Sequence, residues 1–521
     1  MKKQLYLYAM AACTLWLAAC TNEWKENALP TETLTLTVSD FPSFQESIQT
    51  RAVGNFDAGK TTWASGDKLL VSVSDSNGET QTATMTFNGS TWSTEPALKK
   101  TTDSYTVTAY YAPAYEWNNG ALALMSGKTA GADEFLTVET NNANIDFSTA
   151  KRTYSRLRIA CSSETNLSVS ITDFTPAGSG TAPDSYTLTT DSKGNAYLYG
   201  TWTANSSLKV TYGNTSLVNK DKITASVPNT SYGVDASFTA NVSNADAWNS
   251  IGDGTDNCPY VLLNADQLIS LSNRNDSRNI TEHFKLDADI TLTASWEPIT
   301  TADGYGSGNQ FTGTFDGGGH TISGLEFDAT ESVAGFIRTI GTGGIVKNLK
   351  VENCEISTSG QICGGIVGNL YGGRIENCHI ISGTIEGGSQ TGGIAGFCGD
   401  GSIVACSNSA AIEVTNNNTG IGGIGGIVGS VTETTLTGCC YTGAVTSVAE
   451  ISSVGGIVGS DDMSTLTFTA CYFSAGPDNG YGTFVSAWTQ NEIDAMNTAL
   501  QEAGYDYQYK LENGKPVIKN P

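Results

Sequence analysis

Positive charge is scarce in this chain. Twenty-seven lysines and arginines face 52 aspartates and glutamates, giving a formal net charge of −25 and a pI near 4.4. That balance excludes an electrostatic grip on nucleic acid or on anionic lipid. Histidine is scarcer still, with only His283, His320 and His379. No two of them stand four apart, and His283 follows Glu282 in the wrong order, so the HExxH helix of a zinc peptidase is absent. No Cys-x-x-Cys spacing exists either, and neither a metal nor another cofactor is expected. Between Gly313 and Gly459, where glycine is densest, there is no Gly-Lys-Ser/Thr, and no Gly-x-Ser-x-Gly elbow occurs; Gly306-Ser307-Gly308 is an accident of composition. Beyond residue 20 no apolar run approaches the 18 residues of a membrane span.

What is abundant is glycine, 58 residues against a charged fraction of 15%. That balance favours an extracellular β-protein over a cytosolic enzyme, and 521 residues suffice for two or three domains. The glycines recur in a pattern. Gly364-Gly365-Ile366-Val367-Gly368 returns at Gly392-Gly393, at Gly425-Gly426 and at Gly455-Gly456, in steps of 28, 33 and 30 residues. Cys378, Cys406 and Cys439 each follow the first glycine by 14 residues, and Cys471 by 16. Repeats of this length denote a solenoid or a propeller. Paired glycines exclude helical repeats, at roughly 1 kcal/mol each in a helix interior. Each copy holds three short β-like pieces, in the first copy Gly365 to Leu370, Arg374 to Ile380 and Gly383 to Glu386. Three strands with tight corners describe one coil of a right-handed parallel β-helix, the corners needing positive φ that glycine adopts freely. Like side chains then stack about 4.8 Å apart, and the cysteine column fits such a ladder as buried thiols acting as small hydrophobes, the alternative being disulfides, which an exported protein permits and coil-to-coil spacing allows.

The Gly-Gly-Ile-Val-Gly cores resemble GLUG repeats, found in surface proteins and in the non-catalytic part of IgA-specific metallopeptidases. Gly313-Thr314-Phe315-Asp316-Gly317-Gly318-Gly319-His320-Thr321-Ile322 is similar to the opening coil of such proteins. The resemblance covers roughly 253–521.

The start of the chain reads differently. Lys2 and Lys3, an apolar stretch from Leu5 to Leu17 and the box Leu17-Ala18-Ala19-Cys20 resemble a bacterial lipoprotein signal. The resemblance implies cleavage before Cys20, acylation of Cys20 and attachment to outer-membrane lipid, facing the cell exterior. Residues 21–31 form a polar tether whose Glu23, Lys25 and Glu26 are similar to acidic export signals.

From 32 to 245 period-two alternation takes over, as in Leu34, Leu36, Val38 and in Tyr105, Val107, Ala109, Tyr111. Asp75-Ser76-Asn77-Gly78 and Asn88-Gly89 supply hairpin turns. An antiparallel β-sandwich is expected, in two units with a break near 115–150. Trp63-Ala64-Ser65-Gly66-Asp67-Lys68-Leu69-Leu70-Val71, Thr50-Arg51-Ala52 and Tyr154-Ser155-Arg156-Leu157-Arg158-Ile159 resemble fimbrillin-like proteins, the type V pilus subunits and their relatives. That resemblance implies proteolytic processing after Arg51, opening a groove for a partner's strand; the other reading of Arg51 is a solvated loop arginine.

Polar, Gly/Asp-rich residues 241–258 mark the junction to a solenoid over 253–488. Asn264-Ala265-Asp266-Gln267 is a capping box for a helix over 265–272, which would lid the first coil. Thr489-Gln490-Asn491-Glu492 starts a second helix, with Ile493, Met496 and Leu500 on one face, and a hairpin completes a C-terminal cap over 489–521. Open solenoid ends aggregate unless covered, which gives both caps a structural task.

An enzyme of the polysaccharide-acting β-helix kind needs cations or paired acids. Between Gln361 and Cys471 the only cation is Arg374, and Asp461-Asp462 reads as a solvated turn. What remains is a surface: Asn408, Asn416 to Asn418, Thr432 and Thr434 at coil corners, with Tyr371, Phe397 and Tyr441 nearby. The whole reads as an all-β surface lipoprotein with one or two sandwiches and a capped solenoid of about six coils. Its expected role is adhesion or ligand binding, toward host or microbial glycans or proteins, as an accessory or tip fimbrial subunit. The alternatives are a polymerising shaft subunit, contacting other fimbrial subunits, and an enzyme.

Overall fold

A computed structural model describes residues 32–39, 41–42, 44–46, 59–150, 152–242, 246–274, 278–300, 309–329, 332–414, 422–447, 453–461 and 466–519. Cys20, the tether 21–31, Arg51, the segment 306–308, Asn416 to Asn418 and Asp462 lie outside them. The chain is all-β, 6% helical, with antiparallel sheets first and a parallel solenoid of about five turns after them.

Alternation builds the first sandwich. Lys68–Asp75 lies between Thr80–Phe87 and Tyr105–Tyr111, antiparallel to both. Leu69, Val71 and Val73 point inward onto Ala83, Met85, Val107 and Ala109. Both turn sequences close hairpins: the Asp75 carboxylate accepts the Asn77 and Glu79 amides, and the Asn88 carbonyl accepts those of Ser90 and Thr91. In the second sandwich Ser155–Ala160 pairs antiparallel with Asn195–Thr201 and parallel with Thr230–Asp235. The N-terminal segment serves both units. Thr37–Val38 pairs in parallel with Asn144–Ile145, and Gln45–Glu46 with Thr230 and Ser231.

The second sandwich runs into the solenoid without a gap in packing. Ile251, Val261 and Leu263 belong to its core, and the Tyr212 hydroxyl donates to Pro259 O at 2.9 Å. The helix Ala265–Ser272, capped by Asn264 accepting from Gln267 N, sends Leu268 and Leu271 into the solenoid core.

Each solenoid turn has five strands, not three. One turn is Ile345–Lys347, Lys350–Glu352, Cys354–Thr358, Ile362–Gly364 and Val367–Tyr371, and these form faces one to five. Faces one and two hold eight strands each and the other three hold five, against an expectation of about six coils. The apparent run from Arg374 to Ile380 is broken at Asn377, whose φ is 51°. The same left-handed corner recurs one turn away in each direction at Asn348 and Ala405, then at Gly438 and Ala470.

The recurrent glycine pairs have a different cause from the one their composition suggests. None of Gly364, Gly365, Gly392, Gly393, Gly425, Gly426, Gly455 or Gly456 has positive φ. The first glycine of each pair lies where faces four and five press backbone on backbone, and from the second copy on the second glycine also lies against a face-two side chain, Asn408, Tyr441 or Phe473. A Cβ at Gly364 would overlap Val367 O and lie 2.7 Å from Gly396 N, and one at Gly393 would overlap the Asn408 amide. Register is one to one: Gly364 pairs with Gly392, Gly392 with Gly425 and Gly425 with Gly455.

The cysteine column is buried as thiols. Cys378, Cys406 and Cys439 donate to Val346 O, Ile375 O and Ile403 O, the backbone of the preceding turn, at 3.4 to 3.6 Å. Cys471 donates to Thr469 O. Cys440 turns away from the column, into the cluster beneath the C-terminal helix. Burial pushes the Cys406 and Cys439 thiols well up, and those of Cys363 and Cys398 to about 12. A thiolate is the reactive form. A mature chain begun after Cys20 should therefore react slowly with Ellman's reagent at pH 8, and show its ten thiols only in denaturant. Rapid labelling of several thiols in the native protein would contradict the buried column.

The C-terminal helix Gln490–Glu502 has a full capping box at Thr489 and Glu492. It does not lid the open end. Ile493, Met496 and Leu500 pack on Val404, Ala405 and Cys440, and the hairpin Gln508–Glu512 with Lys515–Lys519 follows beside it. Tyr507 donates to Glu376, Tyr509 lies against His379, and Leu500 covers Gly438. The element thus clasps the corner between faces one and two across successive turns. The apolar outer positions Val404, Ala405 and Cys440 demand that cover.

Candidate functional site

The solenoid surface is plainer than its sequence suggests. Asn408 is buried: its amide donates to Gly426 O at 2.9 Å and its carbonyl accepts Ala410 N at 2.9 Å. It occupies an inward column with Val351, Ile380 and Tyr441, so Tyr441 is buried as well. The buried Thr434 hydroxyl donates to Cys398 O or Thr432 O. Tyr371 and Phe397 remain half-exposed on face five, ring centroids 5.6 Å apart.

Several charged groups of the coils are engaged in structure. Arg374 pairs with Glu376 at 3.0 Å, and Glu376 also accepts from the Tyr507 hydroxyl of the clasp at 3.3 Å. His379 lies between the Asn377 carbonyl at 2.9 Å and the Ser407 hydroxyl at 2.8 Å. Burial pushes its imidazole down to about 3, so it is neutral at physiological pH. His320 faces Asp289 at 3.3 Å, and His283 faces Asp256 at 3.8 Å. Among the described residues no three His, Cys, Asp or Glu side chains gather to hold a metal, and nothing positively indicates catalysis. No helix among them is long and apolar enough to cross a membrane.

Two cavities of more than 500 Å³ lie in the sandwiches. In the first, the hairpin Tyr115–Asn118 with Ala121–Leu124 leaves a cavity of about 550 Å³ beside Lys68–Asp75. Leu70, Tyr115 and Met125 line it with Tyr111 and Trp117, and Asp67, Lys68 and Glu116 add charge. Its aromatics are held: Trp117 Nε1 donates to Ala83 O at 2.9 Å and the Tyr115 hydroxyl to Ser179 O at 2.7 Å. The signal for this pocket was the run Tyr110-Tyr111-Ala112-Pro113-Ala114-Tyr115-Glu116-Trp117, denser in aromatics than a single strand face requires.

A second cavity of about 540 Å³ opens in the second sandwich, lined by Leu157, Trp202, Leu217, Val218, Tyr232 and Val234 among others. It adjoins the edge of Thr230–Asp235. Gln45–Glu46 covers only the first two residues of that edge, and beyond Ser231 it has no strand partner among the described residues.

No protein-family model matches the chain. Over 167 residues, 31% of its length, the chain is 32% identical to halomucin from Haloquadratum walsbyi, and it spans about 2% of that protein. Among solved structures, a proposed immunoglobulin A1 protease from Bacteroides ovatus is similar over 51% of this chain and 94% of its own, at 22% identity and TM-score 0.37. A proposed cell adhesion protein from Bacteroides fragilis is similar over 40% of this chain and 91% of its own, at 10% identity and TM-score 0.23. The fimbrial anchor protein Mfa2 from Porphyromonas gingivalis is similar over 32% of this chain and 77% of its own, at 13% identity and TM-score 0.17.

Proposed function

We propose that the chain is a surface lipoprotein, held by a lipid on Cys20, that acts in adhesion or ligand binding as an accessory or tip subunit of a fimbria. The observation that carries this reading is the unbroken packing of the second sandwich into the solenoid. A stalk and a rod that share core residues form one stiff unit, suited to presenting a surface at a distance from the membrane. The coils themselves are ladders and apolar columns, and their Arg374–Glu376 pair is tied into the clasp. Glycans or proteins of host or neighbouring microbes are the expected ligands. The test is surface labelling of intact cells together with binding of the full mature chain to glycan and matrix-protein arrays. Saturable binding and surface exposure are expected, and Cys20→Ala should move the protein from the membrane fraction to the soluble one. Absence of labelling on intact cells, or no binding to either array, would count against the reading.

One observation favours the polymerising subunit. The segment 32–46 lends strands to both sandwiches, buries Leu34, Leu36, Phe41 and Phe44, and ends five residues before Arg51. Cleavage after Arg51 would free that whole segment, and with it the lipid. A mature N-terminus at Ala52 together with detergent-resistant polymers would establish this second reading in place of the first.

A further inference from the structure

The first sandwich carries a feature that its own stability does not require. Alternation sends Leu69, Val71 and Val73 inward and leaves Lys68 and Leu70 on the outer face of the sheet. Leu70, level with Thr84 and Tyr110, is nevertheless only 6% exposed. The hairpin Tyr115–Asn118 with Ala121–Leu124 covers it, and Leu70 joins Ala112, Ala114 and Tyr115 in an apolar cluster apart from the sandwich core. A hairpin laid on a sheet for stability alone would close down to interior packing density. This one leaves a cavity of about 550 Å³, inside the range of about 300 to 1,000 Å³ usual for small-molecule sites.

What fits there follows from the groups that line it. Trp117 Nε1 is spent on Ala83 O and the Tyr115 hydroxyl on Ser179 O, so these two residues offer the cavity apolar ring surface. Tyr111 is a third ring, fixed edge-on to Phe41 at 4.9 Å. The polar lining is of both signs. Asp67 Oδ2 accepts from Ala64 N and pairs with Lys60 Nζ, each at 2.6 Å, while its Oδ1 has no partner among the described residues. Lys68 and Glu116 are exposed, and neither side chain has a partner among the described residues. A ligand of one charge would meet its like on such a rim. A hydroxyl group suits it, because it donates to a carboxylate and accepts from an ammonium. A pyranose ring combines a rim of hydroxyls with a face of C–H groups that lies flat on an aromatic ring. We propose that the cavity under the hairpin binds a neutral mono- or disaccharide, its C–H faces on Trp117 and Tyr111 and its hydroxyls on Lys68, Glu116 and Asp67 Oδ1. The site rests on the glycan arm of the adhesion reading and assigns it to the first sandwich rather than to the coils.

The test titrates the full mature chain with the methyl glycosides of glucose, galactose, mannose and N-acetylglucosamine, read by saturation-transfer NMR. Saturable binding of at least one is expected, with transfer strongest to the C–H protons of one ring face. Lys68→Ala with Glu116→Ala should weaken it about tenfold or more, because hydrogen bonds to charged groups are lost. Both side chains are exposed, so this variant should melt as the parent does. Met125→Trp, at a half-exposed lining position, narrows the cavity and should abolish binding by a separate route. Sugar binding that neither variant changes would overturn the site and leave the adhesion reading standing. So would tighter binding of N-acetylphenylalanine amide than of every glycoside, which would make the cavity a pocket for a protein side chain. Absence of saturable binding by any glycoside would also overturn it, whereas the adhesion reading falls on the cell-labelling and array results.

Discussion

Adding a single methyl group at Gly425 is expected to destabilise the solenoid by roughly 3 kcal/mol or more. The position has ordinary negative φ, so backbone strain is not the reason. A Cβ there would overlap Val428 O and lie 2.7 Å from Ile457 O and 2.8 Å from Gly459 N. All three are backbone atoms of ladders that hold this turn and the next, and none can yield without breaking a ladder bond. Gly343 is the natural control: its φ is +84° and a Cβ would meet nothing within 4 Å. Gly343→Ala should cost only about 1 kcal/mol, the ordinary penalty of left-handed backbone for an L residue. Urea denaturation of the two variants separates the explanations. If Gly343→Ala proved the worse of the two, close approach would not be what selects the glycine pairs.

That contrast marks where the sequence was legible and where it was not. The repeat and its register could be read because Gly364, Gly392, Gly425 and Gly455 pair directly although the steps between them differ in length. The number of strands per turn could not. Asn348 and Asn377 hint at a left-handed corner, but Ala405 and Ala470 adopt the same corner and carry no signal for it. The stripe of Ile493, Met496 and Leu500 said that the last helix packs, yet not against what. The complementary signal, apolar Val404, Ala405 and Cys440 on outward positions, becomes visible only once the inward columns are known. Asn408 was misplaced for the same reason, since a polar residue in an inward column looks like a corner until its neighbours Ile380 and Tyr441 are aligned with it. Both sandwich cavities join segments distant in sequence, and periodicity is silent about such meetings.

Arg152→Ala is expected to cost about 3 to 5 kcal/mol, the loss that follows when one partner of a buried ion pair is removed. Arg152 Nε meets Glu134 Oε1 at 2.7 Å, with the two side chains 0% and 7% exposed. The same guanidinium donates to Pro42 O at 2.8 Å and to Asn229 Oδ1 at 3.3 Å, and lies 3.9 Å over the Phe44 ring. Tyr154 donates to the same oxygen of Glu134 at 3.2 Å. One side chain therefore ties the first sandwich, the second sandwich and the N-terminal segment, and its removal strands the Glu134 carboxylate in the interior. Lys128 with Asp133 is the comparison, an exposed pair at 3.5 Å whose loss should cost well under about 1 kcal/mol. Because Arg152 and Glu134 act on each other, Arg152→Ala with Glu134→Ala should cost clearly less than the two changes added together. The clamp also bears on processing: after a cut at Arg51, the segment 32–46 could leave only by breaking the Pro42 and Phe44 contacts of Arg152. The variant should therefore release a cleaved N-terminal segment faster than the parent. Chemical denaturation that finds Arg152→Ala no worse than Lys128→Ala would remove the clamp, and with it the reason to regard the two sandwiches as one mechanical unit.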